Sequence, residues 1–328
     1  MTFRHGRINK VIRRILATLL AINVLFTGCA PDEPPSATPI RRAKLATPIR
    51  AVFEPGLESC AGVSGITPAA LVEQSNTLAA QTAGEIYGLV VSSDGTTLWE
   101  RNARTAATPA SVMKLVVGLA ALDTLGADYQ LTLGIPPDTM SEPPIDWENP
   151  LPLTEVLQFT LLHSENDYAE IVLTHLGAAY GLPATTAGGA QALTQWLGEH
   201  GLWRDDPTLV DGSGLSPDNK LSPHLVVGVL QWAMSNRHDE IRALLTYLPL
   251  AGVSGTLTNR FDAEPDAINR VRAKTGTLPG VSSLAGVTPT GQPDKWTVFA
   301  VFINDSPTYT AARQAELDAL VGSWVCVA

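Results

Sequence analysis

The stretch Pro109-Ala-Ser-Val-Met-Lys-Leu-Val-Val-Gly-Leu-Ala-Ala-Leu-Asp-Thr-Leu125 decides the fold of this chain. Proline is favoured at the start of a helix, and the apolar residues that follow leave almost no face of the helix polar. Such a helix is buried, so we predict a central helix over residues 110–125. Ser111 and Lys114 interrupt the apolar pattern three residues apart, and they therefore share one face at the start of the helix.

The other predicted elements place strands toward both ends of the sequence and helices between them. An Asp-Gly turn at residues 94–95 separates two runs of β-branched and aromatic residues and predicts a hairpin. The predicted strands lie at residues 85–91, 96–99, 271–274, 282–287 and 296–303. The further predicted helices lie at residues 153–162, 167–176, 190–200, 225–233 and 311–324. We therefore predict an α+β protein whose sheet is completed by the two ends of the chain around an all-helical middle.

A tether and a large folded body are predicted after the first 28 residues. Six prolines between residues 30 and 55, without a sustained apolar period, predict an extended tether over residues 29–56. Residues 57–328 exceed the usual size of one compact core. We predict two closely packed lobes in this body. Strands would form one lobe, from residues 57–130 and 255–328, and helices the other, from residues 131–254.

The first 28 residues are typical of an export signal. Five basic residues precede an apolar run over residues 15–26, which is shorter than a membrane-spanning helix. The run ends in Leu25-Phe-Thr-Gly-Cys29, which resembles a bacterial lipoprotein cleavage site, although Phe26 departs from the usual aliphatic residue. We expect an exported protein that a lipid on Cys29 anchors to the outer face of the cell membrane. The alternative is a plain signal peptide followed by an incidental cysteine.

Two cysteines remain if Cys29 carries a lipid. Cys60 and Cys326 lie near the two ends of the folded body, and an exported protein meets oxidising conditions. We therefore predict a disulfide between Cys60 and Cys326. The alternative is a pair of buried free thiols.

The charge balance excludes one class of partner. The formal net charge of the chain is −10, and it becomes −15 without the five basic residues of the leader. Nucleic acid is therefore not an expected partner.

Two further short motifs accompany Ser111-Val-Met-Lys114, namely Ser164-Glu-Asn166 and Lys274-Thr-Gly276. Each occurs once, and all three in this order would arise in roughly one random chain in several hundred. Taken singly, they have structural explanations as a surface lysine, a helix N-cap and a turn. Together they favour acyl transfer through a covalent serine ester.

The first two motifs predict the proton-transfer groups. Ser111 is the predicted nucleophile, because the start of a helix offers free N–H groups and a positive dipole end to an oxyanion. Lys114 is the predicted general base, with its pKa lowered by burial and by a second cation such as Lys274. Ser164 is predicted to relay a proton to the leaving amine. Asn166 is predicted to hold a substrate amide and Lys114 together.

The third motif predicts a substrate-binding strand end. Gly276 lacks a side chain, so a substrate can lie against the backbone as an extra strand. Lys274 and the hydroxyls of Thr275 and Thr277 would bind a terminal carboxylate. The N–H groups of Ser111 and Thr277 would form an oxyanion hole. This chemistry needs no cofactor and no metal, and none of the six histidines lies in a His-Glu-x-x-His motif.

The three motifs resemble those of penicillin-binding proteins and class A β-lactamases. Longer blocks are similar to the S13 peptidase family, at residues 109–114, 122–129, 211–216, 248–252, 255–257 and 273–278. The resemblance covers roughly residues 60–325. It implies a serine β-lactamase/DD-peptidase-like fold, with an antiparallel sheet flanked by helices beside an all-helical subdomain. It also implies a D-Ala-D-Ala carboxypeptidase/endopeptidase whose Ser111 attacks peptidoglycan stem peptides, with β-lactams as covalent inhibitors.

The spacing of the motifs departs from that of larger family members. Only 53 residues separate Ser111 from Ser164, so the domains that larger members insert there are absent from this interval. The 110 residues from Ser164 to Lys274 match the family spacing. Asp211 and Ser213 match a family block, and we assign them only a loop-fixing role.

Two other functions stay open at this point. A serine β-lactamase would share the three motifs but needs an activated water for fast deacylation, usually from a positioned glutamate, and the sequence shows no clear candidate loop for one. A non-catalytic lipoprotein that binds the cell wall or β-lactams would be expected to carry a damaged motif, and all three motifs are intact.

Overall fold

The computed structural model describes residues 57–133 and 149–328 of the chain. The predicted signal peptide and tether, together with Cys29, lie outside the described residues. None of the helices in the described part of the chain has the length and apolarity that a membrane crossing requires.

The α-helices are numbered in chain order. They are α1 (Pro68–Gln81), α2 (Met113–Leu125), α3 (Leu153–His163), α4 (Asn166–Ala179), α5 (Thr186–Glu199), α6 (Pro223–Ser235), α7 (Asp239–Ala243) and α8 (Thr310–Gly322). Single 3₁₀ turns lie at Ala110–Val112, Leu244–Tyr247, Gly255–Leu257 and Pro265–Ala267.

Five strands form one antiparallel sheet. They are β1 (Glu85–Ser92), β2 (Thr97–Arg101), β5 (Arg272–Leu278), β6 (Val281–Pro289) and β7 (Trp296–Asn304). Their spatial order is β2-β1-β7-β6-β5, with each neighbouring pair antiparallel. A separate two-residue pair joins β3 (Gln130–Leu131) to β4 (Leu151–Pro152). The predicted sheet from both ends of the chain is thereby confirmed, and β5 lies at its edge.

Two apolar clusters cover the two faces of this sheet, so its central strands are buried on both sides. Every residue of β6 is buried, and so is every residue of β7 after Trp296. Because side chains alternate between the faces of a strand, Phe299 and Val301 join the cluster that includes α8. Ala300 and Phe302 join the other cluster, which includes α2 and α6.

The central helix is buried as predicted. Residues 113–122 of α2 are all buried, and the helix packs against α3, α4 and α6. The α-helix begins at Met113 and not at the predicted residue 110, because residues 110–112 form a 3₁₀ turn. The nucleophile motif therefore straddles the junction of a tight turn and a buried helix.

Helix α1 is the main element that the sequence analysis did not predict. Its buried residues are Leu71, Ser75 and Ala79, which form a narrow stripe with one large apolar side chain. The Thr67 side chain caps the helix by accepting from the Ala70 N–H at 3.3 Å. The hydroxyl of the buried Ser75 accepts a hydrogen bond from Trp324 Nε1 at 2.9 Å. Periodicity of large apolar residues gives little signal for such a helix.

The predicted disulfide is present. Cys60 and Cys326 are bonded, at a sequence separation of 266. Cys326 is fully buried in the cluster that includes α8. The bond therefore ties the beginning of the described chain to its last residues.

Candidate active site

Residues of all three predicted motifs meet in one cleft of about 300 Å³. The motif residues that line it are Ser111, Ser164, Asn166, Thr275 and Thr277. Four residues from outside the motifs complete the lining, namely Leu215, Thr256, Arg260 and Gln314. The cleft lies between the start of the central helix, the break between α3 and α4, and the edge strand β5.

The turn that carries Ser111 is held in place by close backbone packing. Ala110, directly before the serine, has a φ of +47°, which is uncommon for a residue with a side chain. A Cβ added at Gly214 would lie 2.0 Å from the Ala110 carbonyl oxygen. A Cβ added at Gly276 would lie 2.7 Å from the Pro109 carbonyl oxygen and 2.1 Å from Ser283 Oγ. Two glycines therefore let neighbouring backbone pack directly beneath the nucleophile.

Lys114 connects three parts of the cleft through one ammonium group. Its Nζ donates to Ser111 Oγ at 2.9 Å, to Asn166 Oδ1 at 2.8 Å and to the Ser213 carbonyl oxygen at 2.6 Å. An ammonium has three N–H donors, so all of them are used. The side chain is 1% exposed. This geometry fits the predicted general base, because the amine lies within hydrogen-bond reach of the hydroxyl whose proton it would take.

Burial lowers the pKa of Lys114 to about 7, from an ordinary value of 10.5. The carboxylates of Asp211, Glu170 and Glu165 act in the opposite direction, because they stabilise the charged form. A substantial fraction of Lys114 is therefore the neutral amine near neutral pH, as a general base requires.

Lys274 is the second cation that was predicted to lie near Lys114, and the two ammonium groups interact. The pKa of Lys274 is lowered, first by burial and then by repulsion from the Lys114 ammonium. Lys274 is 0% exposed. The two lysines are thus close enough for the charge of one to disfavour the charge of the other.

The second motif lies in the break between two helices, as predicted. Helix α3 ends at His163, and Ser164 follows with a φ of +64° before α4 begins at Asn166. Left-handed backbone at this residue directs the chain sharply from one helix into the next. Ser164 Oγ accepts a hydrogen bond from Lys274 Nζ at 2.8 Å. The second and third motifs are thereby linked directly.

The third motif lies within the edge strand rather than at its end. The predicted strand stopped at residue 274, whereas β5 runs on to Leu278. The second hydrogen bond of Lys274 Nζ goes to the Thr275 carbonyl oxygen at 2.8 Å. The hydroxyls of Thr275 and Thr256 are 2.7 Å apart, and Thr277 is exposed. Thr275 and Thr277 line the cleft while the ammonium of Lys274 lies beneath its surface.

A turn at residues 211–216 contributes to the site more directly than its predicted loop-fixing role. Asp211 holds the turn, because its carboxylate accepts from the backbone N–H groups of Gly214 and Ser216, each at 2.7 Å. Asn219 Nδ2 donates to Asp211 Oδ1 at 2.7 Å. The turn is thereby shaped to present the Ser213 carbonyl oxygen to Lys114.

Glu170 is a site residue that the sequence analysis missed. Its Oε1 accepts from the backbone N–H groups of Gly212 at 3.0 Å and Ser213 at 2.8 Å. The available signal was its position four residues after Asn166 on α4, because residues four apart share one face of a helix. Asn219 was missed because its partners, apart from the Asp211 carboxylate, are backbone groups of a loop, which carry no residue-specific signal.

Sequence comparison places most of the described chain in one family model. Residues 71–143 and 144–323 match the model of the D-Ala-D-Ala carboxypeptidase 3 (S13) family. A similar curated protein is carboxypeptidase DacB of Mycolicibacterium smegmatis, which is 36% identical over 179 residues, covering 53% of this chain and 38% of that protein. The chain spans about a third of the length of the curated relatives it matches.

Solved structures confirm the predicted fold class. Penicillin-binding protein 4 (dacB) of Haemophilus influenzae, solved in complex with a β-lactam, superposes with a TM-score of 0.63 at 16% identity. That match covers 76% of this chain and 98% of the other. The TLA-3 extended-spectrum β-lactamase superposes with a TM-score of 0.61 at 18% identity, covering 78% of this chain and 98% of the other. The fold is therefore common to a penicillin-binding protein and a β-lactamase, so the fold alone does not distinguish their chemistries.

Proposed function

Because the chain belongs to the D-Ala-D-Ala carboxypeptidase 3 (S13) family, we propose that it is a serine-type D-Ala-D-Ala carboxypeptidase/endopeptidase acting on peptidoglycan stem peptides. The observation that carries this proposal is the hydrogen bond of 2.9 Å between Lys114 Nζ and Ser111 Oγ at the cleft. It pairs a nucleophile with a base whose pKa is lowered to about 7.

Acylation begins with proton transfer within this pair. The neutral Lys114 amine takes the proton of the Ser111 hydroxyl as Oγ bonds to the carbonyl carbon of the penultimate D-Ala. The carbonyl oxygen becomes an oxyanion, which the N–H groups of Ser111 and Thr277 stabilise. The tetrahedral intermediate then loses the terminal D-Ala as its amine, leaving an ester on Ser111.

The leaving amine needs a proton to depart. Ser164 is suited to deliver it, because it lines the cleft and its Oγ is hydrogen-bonded to Lys274 Nζ at 2.8 Å. The proton that Ser111 gave to Lys114 returns to the amine through Ser164. Deacylation reverses the roles, since a water then attacks the ester and Lys114 accepts its proton.

The edge strand supports binding of a peptide with a free carboxylate. The outer edge of strand β5 is hydrogen-bonded to Pro249 at Ala273. Beyond Ala273 the strand has a sheet neighbour on one side only, so its other edge offers N–H and C=O groups to a ligand strand. Thr275 and Thr277 supply hydroxyls to the terminal carboxylate within the cleft. Lys274 acts beneath them, as a buried donor that fixes Ser164 and the Thr275 carbonyl. Cyclic β-lactams present the same carboxylate and carbonyl, so they acylate the same serine.

A serine β-lactamase is the second candidate, because class A β-lactamases share the fold. In class A β-lactamases, a glutamate activates the water that hydrolyses the penicilloyl ester. Glu170 does not line the cleft, and one of its oxygens is occupied by two backbone N–H groups. The family match and this orientation favour the carboxypeptidase.

We further propose that the protein acts outside the cytoplasm on a lipid anchor. Residues 1–28 would direct export, lipidated Cys29 would hold the chain at the membrane, and residues 29–56 would tether the catalytic domain of residues 57–328. Labelling of cells with an alkyne fatty acid tests this proposal. Incorporation into the unsubstituted protein and its loss in Cys29→Ser are expected, and equal labelling of both proteins would reject the anchor.

The enzymatic proposal is tested by release of D-Ala from a D-Ala-D-Ala peptide. The unsubstituted protein should release D-Ala, and Ser111→Ala should release none. Ser235→Ala is the matched control, because Ser235 lies exposed at the end of α6 and bonds only to a neighbouring carbonyl. Fast penicillin turnover without D-Ala release would instead identify a β-lactamase. A stable penicillin adduct without D-Ala release would identify a non-catalytic binding protein.

A further inference from the structure

Glu170 lies behind the general base and binds the turn that contacts it. Asn166 and Glu170 are four residues apart on α4, and both reach the surroundings of Lys114. Asn166 accepts directly from Lys114 Nζ at 2.8 Å. Glu170 Oε1 instead accepts from the N–H groups of Gly212 and Ser213, the residue whose carbonyl oxygen accepts from Lys114. Helix α4 therefore contacts Lys114 directly through Asn166, and indirectly through Glu170 and the 211–216 turn.

The negative charge of Glu170 is not neutralised by an ion pair within the described chain. None of the salt bridges among the described residues includes Glu170. Its second oxygen, Oε2, is buried and makes no hydrogen bond. Burying a carboxylate without a paired cation costs free energy. The negative charge of Glu170 stabilises the charged form of the nearby Lys114.

We propose that Glu170 is a positioning residue for the general base. It fixes the 211–216 turn so that the Ser213 carbonyl receives the Lys114 ammonium, and its negative charge stabilises that ammonium relative to the free amine. This inference rests on the proposed acylation of Ser111 and extends it to a residue outside the three motifs.

The charges around Lys114 come from three elements. Lys274 faces it from β5, Glu165 and Glu170 from α4 and its N-cap, and Asp211 from the turn. Asp211 and Glu170 differ in how many of their carboxylate oxygens accept hydrogen bonds. Both Asp211 oxygens serve as acceptors within the turn, whereas Glu170 leaves one oxygen free. An amide can therefore replace the Glu170 carboxylate and still accept from both N–H groups through its carbonyl oxygen.

The effect on pH dependence follows from the sign of the charge. A nearby carboxylate raises the pKa of a lysine. Removing the charge of Glu170 therefore lowers the pKa of Lys114 further. Because the neutral amine is the base, the acidic limb of the acylation profile moves to lower pH. One nearby charge at an effective dielectric constant of about 20 gives a shift of roughly half a pH unit or more.

The test compares acylation by a fluorescent penicillin across pH 5–9 in four proteins. In Glu170→Gln, the midpoint of the acidic limb should move to lower pH while the rate at high pH stays within a few-fold of the unsubstituted protein. In Glu170→Asp, the charge remains but the side chain is one methylene shorter. The midpoint should then stay in place while the rate at high pH falls. Asp167→Asn removes a charge from the same helix at a residue that does not act on Lys114, and its profile should be unchanged.

The outcomes separate the two proposals. If the unsubstituted protein forms no penicilloyl adduct, the proposed function and this inference both fail. If it forms the adduct and both Glu170 variants lower the rate equally at every pH, the role of Glu170 is purely structural and only this inference fails. If one variant does not fold, the other still tests the proposal. A shifted midpoint of the acidic limb is expected for Glu170→Gln, and a lower rate at high pH is expected for Glu170→Asp.

Discussion

Lys274 Nζ and Ser164 Oγ, 110 residues apart in the sequence, are joined by a hydrogen bond of 2.8 Å. This contact connects the edge strand to the break between α3 and α4. Because Lys274 is 0% exposed, its influence on a ligand passes through Ser164 and through the Thr275 carbonyl that it also contacts. Lys274 is thus a buried hydrogen-bond donor that holds Ser164 and the Thr275 carbonyl in place.

Replacing Lys274 should therefore affect the chemical step strongly. Lys274→Ala removes the donor to Ser164 and leaves its hydroxyl free to turn away from the leaving group. We expect the rate of acylation by penicillin to fall by roughly 10²-fold or more, as for the loss of one preorganised donor at a reacting centre. Lys295→Ala, at an exposed lysine, is the control and should retain the full rate. A loss of less than about threefold in Lys274→Ala would contradict this role.

The rate of acylation should depend on pH through Lys114. Its pKa is lowered from 10.5 to about 7, and only the neutral amine can take the Ser111 proton. The rate should therefore rise roughly tenfold per pH unit below pH 7 and level off above it. Stopped-flow acylation from pH 5 to 9 measures this, with thermal unfolding followed at each pH as the control.

Lys114→Arg separates base catalysis from charge. Arginine keeps a positive charge that cannot be lost in this pH range. We expect acylation to be lost at every pH. A rate that is independent of pH in the unsubstituted protein, or an active Lys114→Arg, would mean that another group is the base.

A single methyl group at Gly276 should disturb the nucleophile. Its Cβ would lie 2.1 Å from Ser283 Oγ and 2.7 Å from the Pro109 carbonyl oxygen. We expect Gly276→Ala to lower the free energy of unfolding by about 1–3 kcal/mol and to slow acylation, because the turn before Ser111 must shift. Gly291→Ala, in the loop between β6 and β7, is the control, since the nearest contact of its added Cβ would be an ordinary 3.5 Å. If Gly276→Ala and Gly291→Ala changed urea unfolding and acylation equally, the packing described would be contradicted.

The disulfide should stabilise the fold. Cys60 and Cys326 close a loop of 266 residues, which restricts the unfolded chain. Replacing both by serine should lower the free energy of unfolding by roughly 2–5 kcal/mol, measured by urea denaturation without reductant. Titration of two free thiols in the unsubstituted protein, or no loss of stability on replacement, would reject this expectation.

Much of the fold and most of the site could be predicted from the sequence, because their signals are local. The apolar run after Ser111 determines a buried helix, and an Asp-Gly turn between β-branched runs determines a hairpin. Glu170 and Asn219 act on backbone groups of a turn about 40 and 10 residues away, and such contacts leave no pattern along the chain. The burial of Lys274 could not be predicted from the sequence either, since it depends on how β5 packs against the α3–α4 break.

The central claim is that Ser111 forms a covalent ester, and peptide mapping of the penicillin-treated protein tests it most directly. Trypsin cleaves after Arg104 and Lys114, so residues 105–114 form one peptide in which Ser111 is the only serine. We predict a mass increase of one penicilloyl group on that peptide, and a slower increase while a D-Ala-D-Ala peptide is present in large excess. An adduct on any other peptide, or an unmodified protein after exposure to penicillin, would contradict the account.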